Sequence, residues 1–107
     1  MSRKKPPKRD EATPETPLPP LRIVESVRFG KELERQKRRG KDLAKFRPII
    51  DALLARRPLD EKYKDHALTG DWIGYRDCHV EPDWILIYKT TTDELRLART
   101  GTHSDLF

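Results

Sequence analysis

Cysteine is nearly absent from this sequence, Cys78 being the one thiol in 107 residues. It cannot close an internal disulfide, so the chain is no disulfide-stapled secreted domain, and it suits a reducing compartment. Long apolar runs are missing too. No stretch approaches the roughly 20 apolar residues of a membrane span, and residues 1–20 have no apolar centre that could act as a secretory signal. The expectation is a cytoplasmic protein with no membrane contact. Apolar residues are 35% of the chain against 38% charged. They are unevenly spread, since 34 of the 37 apolar residues lie within 21–107.

The first twenty residues, MSRKKPPKRDEATPETPLPP, hold six of the nine prolines and no apolar periodicity. They lack the buried surface to offset the entropy of ordering, and a disordered, partly extended arm is expected over 1–20. Its basic cluster (Arg3, Lys4, Lys5, Lys8, Arg9) can either touch phosphates or keep a linker solvated. Residues 21–107 then form a single domain with a thin core, which excludes a two-domain enzyme.

Net charge is +5, distributed as +2 over 1–20, +6 over 21–60 and −3 over 61–107. A basic first half attracts a polyanion, most often nucleic acid, although the same charge can serve solubility alone.

The element pattern is β-α-α-β-β-β. LRIVES reads as a strand ending at Ser26, a residue suited to capping a helix from Val27. That helix ends in a basic turn before Gly40, which suits a left-handed cap. A second helix, about 42–56, has Leu43, Phe46, Ile50 and Leu53 at spacings of three and four. Pro48 removes a backbone donor there, so a kink or a late helix start is expected. From Trp72 the period becomes two, and IGYRDCHV, WILIYKT and ELRLART read as a three-stranded meander. The resulting class is α+β, a mainly antiparallel twisted sheet with two helices on one face and the other face open. Alternation places Arg76, Cys78 and Val80 on one side of their strand and Tyr75, Asp77 and His79 on the other. Cys78 is expected in the core and His79 on the open face.

Chemistry can sit on the three histidines, His66, His79 and His103, all in the C-terminal half. A zinc site fits their spacing poorly: the gaps are 13 and 24 residues with no short two-ligand pair, and neighbours Cys78 and His79 cannot face one ion. Separate surface or packing roles are the plain alternative. Metal-free acid/base cleavage of RNA is the third: the 2′-hydroxyl is the nucleophile, histidines supply base and acid, and cations face the phosphorane. Arg76 and Arg99 are candidate cations, and Trp84, Tyr75 and Phe107 candidate base-stacking residues, with Trp72 equally suited to the core.

The stretch YKDHALTGDWIGYRDCHVEPDWILIYK, followed by RTGTHSDLF, resembles the YafQ family of toxins, within the RelE-like group of messenger-RNA endonucleases from bacterial type II toxin-antitoxin pairs. The likeness spans about 21–107, with the KRRGKDL link between the helices, and is sharpest in DHALTG, CHVEPDW, LIYK and TGTH. It implies a sheet-plus-two-helices fold, cleavage of mRNA in the ribosomal A site without metal or other cofactor, and neutralisation by a cognate antitoxin in the bacterial cytoplasm. Residue by residue, it implies an active site of His66, His79, Asp83, Trp84, His103 and Phe107. His103 and His66 would be acid/base partners, His79 a phosphate-side donor, and Asp83 a proton acceptor or orienter. Trp84 and Phe107 would stack on bases or serve as scaffold. Lys37, Arg38, Arg39 and Lys41 are expected to dock on the 70S ribosome through its RNA. The arm and Pro48 depart from the family pattern. A non-catalytic RNA- or ribosome-binding module, or a subunit that only binds antitoxin, are the alternatives, and the intact histidine set with Asp83 argues against both.

Overall fold

The structure, a computed structural model, describes residues 18–107. Most of the expected arm, residues 1–17, therefore lies outside the described residues. Near its end the arm already touches the domain: the Pro19 carbonyl accepts a hydrogen bond from Arg56 Nε at 3.0 Å, and Leu21, the first residue after the arm, is buried.

Strand β1 (Arg22–Glu25) leads into helix α1 (Val27–Arg38). Ser26 caps that helix, its hydroxyl accepting from the Phe29 amide at 2.9 Å, and Gly40 follows the helix at φ +89°. Such a left-handed position costs glycine little. A 3₁₀ turn (Leu43–Phe46) precedes α2 (Arg47–Leu54), so Pro48 sits in the first helical turn, where its missing N–H breaks no bond. The proline delays the helix instead of kinking it. After a second 3₁₀ turn (Glu61–Tyr63) come β2 (His66–Ala67), β3 (Arg76–Glu81), β4 (Trp84–Thr90), β5 (Glu94–Gly101) and a terminal turn of helix, α3 (His103–Leu106).

The sheet runs β1-β5-β4-β3-β2, with β1 parallel to β5 and the other neighbours antiparallel. Against one face the helices bury Phe29, Phe46, Ile49 and Leu53 on Cys78, Trp84, Leu86, Tyr88, Leu95 and Leu97. The opposite face is not open, as the alternation had suggested. Ile85 and Ile87 are fully buried there beneath Leu106 of α3 and Leu68, Trp72 and Tyr75 of the 67–75 segment. This cover could not be read from periodicity, because an irregular segment and a four-residue helix carry no repeating pattern. Its edge is where the histidines meet.

Candidate active site

Each histidine is delivered by a different device. His66 stands on the two-residue strand β2, directly opposite Asp77 of β3. His79 lies on β3, where the register shifts between His79 and Glu81. Such a bulge bends the strand and re-aims its side chains. His103 is the first residue of α3, whose Thr102 cap and Asp105 close a reciprocal capping box.

Two of the rings meet on the covered face, with His66 beside them opposite Asp77. The His79 and His103 centroids are 5.5 Å apart, and His103 lies 6.4 Å from the exposed Phe107 ring. Asp83, in the β3–β4 turn, accepts through Oδ1 from both the His103 amide (2.9 Å) and His103 Nδ1 (2.7 Å). Those two donors hold the Asp83 carboxyl below the usual range. His79 Nδ1 lies 3.1 Å from the Pro82 carbonyl, and His66 Nδ1 lies 2.9 Å from the Lys64 carbonyl. A carbonyl or carboxylate can only accept, so this geometry assigns the Nδ1 proton on all three rings and leaves each Nε2 for a ligand.

Asp77 is the residue that sequence reasoning passed over. Its carboxyl is buried, with His66 Nδ1 3.0 Å from Oδ1. That contact is an ion-pair approach and not an aligned hydrogen bond, since Oδ1 has no satisfying donor among the described residues. Burial raises its pKa, while the fields of His66, His79 and His103 pull it down. One carboxyl therefore sits within electrostatic reach of all three histidines. The i, i+2 spacing to His79 on a strand was the signal that could have found it.

Other expected residues are placed differently. Trp84 is fully buried, its Nε1 donating to Thr100 Oγ1 at 3.0 Å and its ring edge-on to Phe46, so no face is left to stack on a base. Of its two expected roles, scaffold is the one its burial permits. Arg99 is likewise buried, its guanidinium held by Glu32 of α1. A phosphate cannot reach it without breaking that pair. Arg76 is committed to Asp65, with Nη2 to Oδ2 at 3.0 Å, and Asp65 also accepts from the Tyr88 hydroxyl. Within the basic link, Arg39 makes a two-pronged pair with Asp105 (2.7 and 3.2 Å) and Lys41 pairs with Glu81 at 2.7 Å. Lys37 and Arg38 are exposed and have no ion pair among the described residues. The Arg39 pair instead clamps α3, and the close seat of Asp105 depends on Gly101, where an added Cβ would come within 2.9 Å of its side chain.

Among the described residues no three His, Cys, Asp or Glu side chains are placed to hold one metal ion. The buried Cys78 thiol is pushed well above its ordinary pKa by desolvation, which removes the thiolate a nucleophile requires.

The chain as a whole is similar to proteins of known family. Residues 21–107 match the family model described as the bacterial toxin of type II toxin-antitoxin system, YafQ. The chain belongs to that family. It is 49% identical over 86 residues to the mRNA interferase toxin YafQ of Escherichia coli K12, covering 79% of this chain and 94% of that protein. The crystal structure of the E. coli DinJ–YafQ complex superposes with a TM-score of 0.76 at 48% identity, over 81% of this chain and 98% of that one. A metal-bound toxin from Helicobacter pylori gives 0.77 at 38% identity, over 81% and 99%. This YafQ-family chain is thus α+β with a five-stranded mixed sheet, of the same fold as those toxins.

Proposed function

We propose that this toxin is an mRNA interferase, an endoribonuclease that cuts ribosome-bound mRNA by metal-independent acid/base chemistry and is neutralised by a cognate antitoxin. The observation that carries the reading is the Asp83–His103 pair beside His79, with every Nε2 left for substrate. In this reading His103 Nε2 takes the proton of the 2′-hydroxyl while Asp83 fixes the ring and faces the imidazolium that forms. The 2′-oxygen attacks phosphorus, and the P–O5′ bond breaks as His66 gives its proton to the leaving oxygen. His79 donates to a phosphoryl oxygen, where negative charge grows. The products are a 2′,3′-cyclic phosphate and a 5′-hydroxyl. Asp77 sets one carboxyl within electrostatic reach of the histidines, and exposed Phe107 offers a ring to an unpaired base. RNA supplies its own nucleophile, so the scheme needs no metal-activated water.

The partner and compartment follow from the same reading. The E. coli relative is solved in complex with DinJ, and a corresponding antitoxin is proposed here. Action on ribosomes places the toxin in the cytoplasm in this reading, and among the described residues no helix is long and apolar enough to cross a membrane. The test is cleavage of a defined mRNA on programmed ribosomes. Cyclic-phosphate ends are expected, with no cutting of naked RNA. A 2′-deoxy nucleotide at the cut site should stop the reaction, and sulfur at the scissile phosphate should show no rescue by thiophilic metals. Cleavage of the deoxy substrate would refute the mechanism, and efficient cutting of naked RNA would refute ribosome dependence.

A further inference from the structure

Beside the histidine cluster runs a groove of about 670 Å³ that the mechanism touches only through His79. That volume falls in the roughly 300–1,000 Å³ range of small-molecule sites. Pro48, Tyr63, Val80 and Pro82 form its apolar walls, and Lys45, Lys62 and Lys64 line it with positive charge. His79 lies at its margin and belongs to both the groove and the cluster. The two share backbone anchors as well, since the Pro82 carbonyl faces His79 Nδ1 and the Lys64 carbonyl faces His66 Nδ1.

The groove is built before any ligand arrives. Asp60 caps the 3₁₀ turn by accepting from the Lys62 amide at 2.9 Å, and the turn closes on Lys64 in a left-handed conformation at φ +55°. A lysine in that conformation is uncommon, and such backbone positions gather at functional sites. Tyr63 is half-buried, with Lys62 Nζ 5.2 Å from its ring centroid. Glu81 is the acid in the groove, and its charge is taken up by Lys41 and Lys45, each at 2.7 Å. Lys62 and Lys64 make no ion pair among the described residues, so the lining is net positive. Flat apolar walls beside cations are the combination that binds unpaired nucleotides: stacking is indifferent to base identity, and the cations follow the backbone.

We propose that this groove seats the nucleotide adjoining the scissile phosphate, its base against Tyr63 and the proline walls and its phosphate between Lys62 and Lys64. The inference rests on the endoribonuclease reading and adds the substrate's path into it. The probe is a 2′-O-methyl trinucleotide, which lacks the attacking hydroxyl, titrated into the full chain by NMR at low salt. Saturable shifts at Tyr63, Lys64 and Val80 are expected, with Kd raised about fivefold or more by Tyr63→Ala and by Lys62→Gln/Lys64→Gln, and little changed by Tyr63→Phe. Tripolyphosphate, which has charge without bases, should bind far less well. No saturable shift, shifts confined to Lys37–Lys41, unchanged Kd in the variants, or equal binding of tripolyphosphate would each overturn the proposal. On programmed ribosomes Lys62→Gln/Lys64→Gln should raise the half-saturating toxin concentration while single-turnover kmax stays within about threefold. A fall in kmax alone would place these residues in the chemistry and overturn the binding role. Absence of wild-type cleavage would sink the nuclease reading, whereas the titration would still report on the groove.

Discussion

Truncating Glu32 to alanine tests whether Arg99 supports the fold or the substrate. Glu32 Oε1 accepts from Arg99 Nε (3.3 Å) and the Thr100 amide (3.2 Å), while Oε2 accepts from Arg99 Nε (3.1 Å) and Nη2. Both side chains are about nine-tenths buried, at 10% and 9% exposure. Removing one partner strands a buried guanidinium, which typically costs about 3–5 kcal/mol. A domain of this size has roughly 5–15 kcal/mol in total and loses about 4–8 °C of Tm per kcal/mol. Glu32→Ala should therefore melt at least ~12 °C lower. Replacing both residues by methionine removes the stranded charge and should recover part of the loss, short of about 1–3 kcal/mol for the Thr100 amide left without its acceptor. Urea denaturation of Glu32→Met, Arg99→Met and the double variant measures the coupling. A Glu32→Ala loss below about 1 kcal/mol, or strict additivity in the double variant, would refute the reasoning. Cleavage provides the second readout. The refolded double variant should stay within about tenfold of wild type, because Arg99 reaches the site only through a long 3.4 Å bond to the Asp105 carbonyl. A loss of several orders of magnitude would restore Arg99 to substrate binding.

His103→Ala should cut ribosome-bound mRNA about 10²- to 10⁴-fold more slowly, the range of a general acid or base, and Asp83→Asn should fall partway by releasing the ring; single-turnover assays decide, and full activity in His103→Ala removes it from the mechanism. Asp77→Asn should trade activity for stability. Its folded pKa is raised by burial, so the native carboxyl holds its proton longer than the unfolded one, and Asp77 costs stability as pH rises from about 4 through that raised value. Melting curves should show the Asn variant about 1 kcal/mol more stable at pH 7 and equal to wild type near pH 3; a lower Tm at pH 7 would contradict this. Arg39→Gln should separate from Lys37→Gln/Arg38→Gln: the second pair should weaken ribosome binding and its salt dependence, while Arg39→Gln loosens α3. The Asp105 carboxyl lies well below its usual pKa, chiefly through its bond to Arg39, so the clamp acts above about pH 4 and is lost as pH falls further. The Tm difference between wild type and Arg39→Gln should shrink on acidification, and a difference constant from pH 7 to pH 2 would rule the clamp out.

Local rules determined much of this protein from its sequence. Ser26, Gly40 and Pro48 mark the ends of the helices because caps, left-handed turns and missing donors are properties of single residues and their neighbours. The period-two runs supplied β3, β4 and β5, with Cys78 inward and His79 on the opposite side, because side chains alternate along any strand. The TGTHSDLF end carried one further local signal that went unread, the Thr102-x-x-Asp105 capping box that makes α3. The candidate histidines and Asp83 were legible through motifs of residue type and order.

Tertiary structure alone decided which charged and aromatic groups are available. Trp84 and Arg99 look like ligand-binding residues in sequence, yet one is consumed by Thr100 and Phe46 and the other by Glu32, 67 positions away. Arg39 and Lys41 read as a free basic link until Asp105 and Glu81, distant in the chain, take their charges. Asp77 gains its place among three histidines because β2 pairs opposite it and α3 folds over the same face. A side chain's partners across the sheet depend on long-range closure of the chain, whereas composition and periodicity record only its neighbours along it. That physical difference is why candidate residues could be named from the sequence, while the reach of each group had to come from the fold.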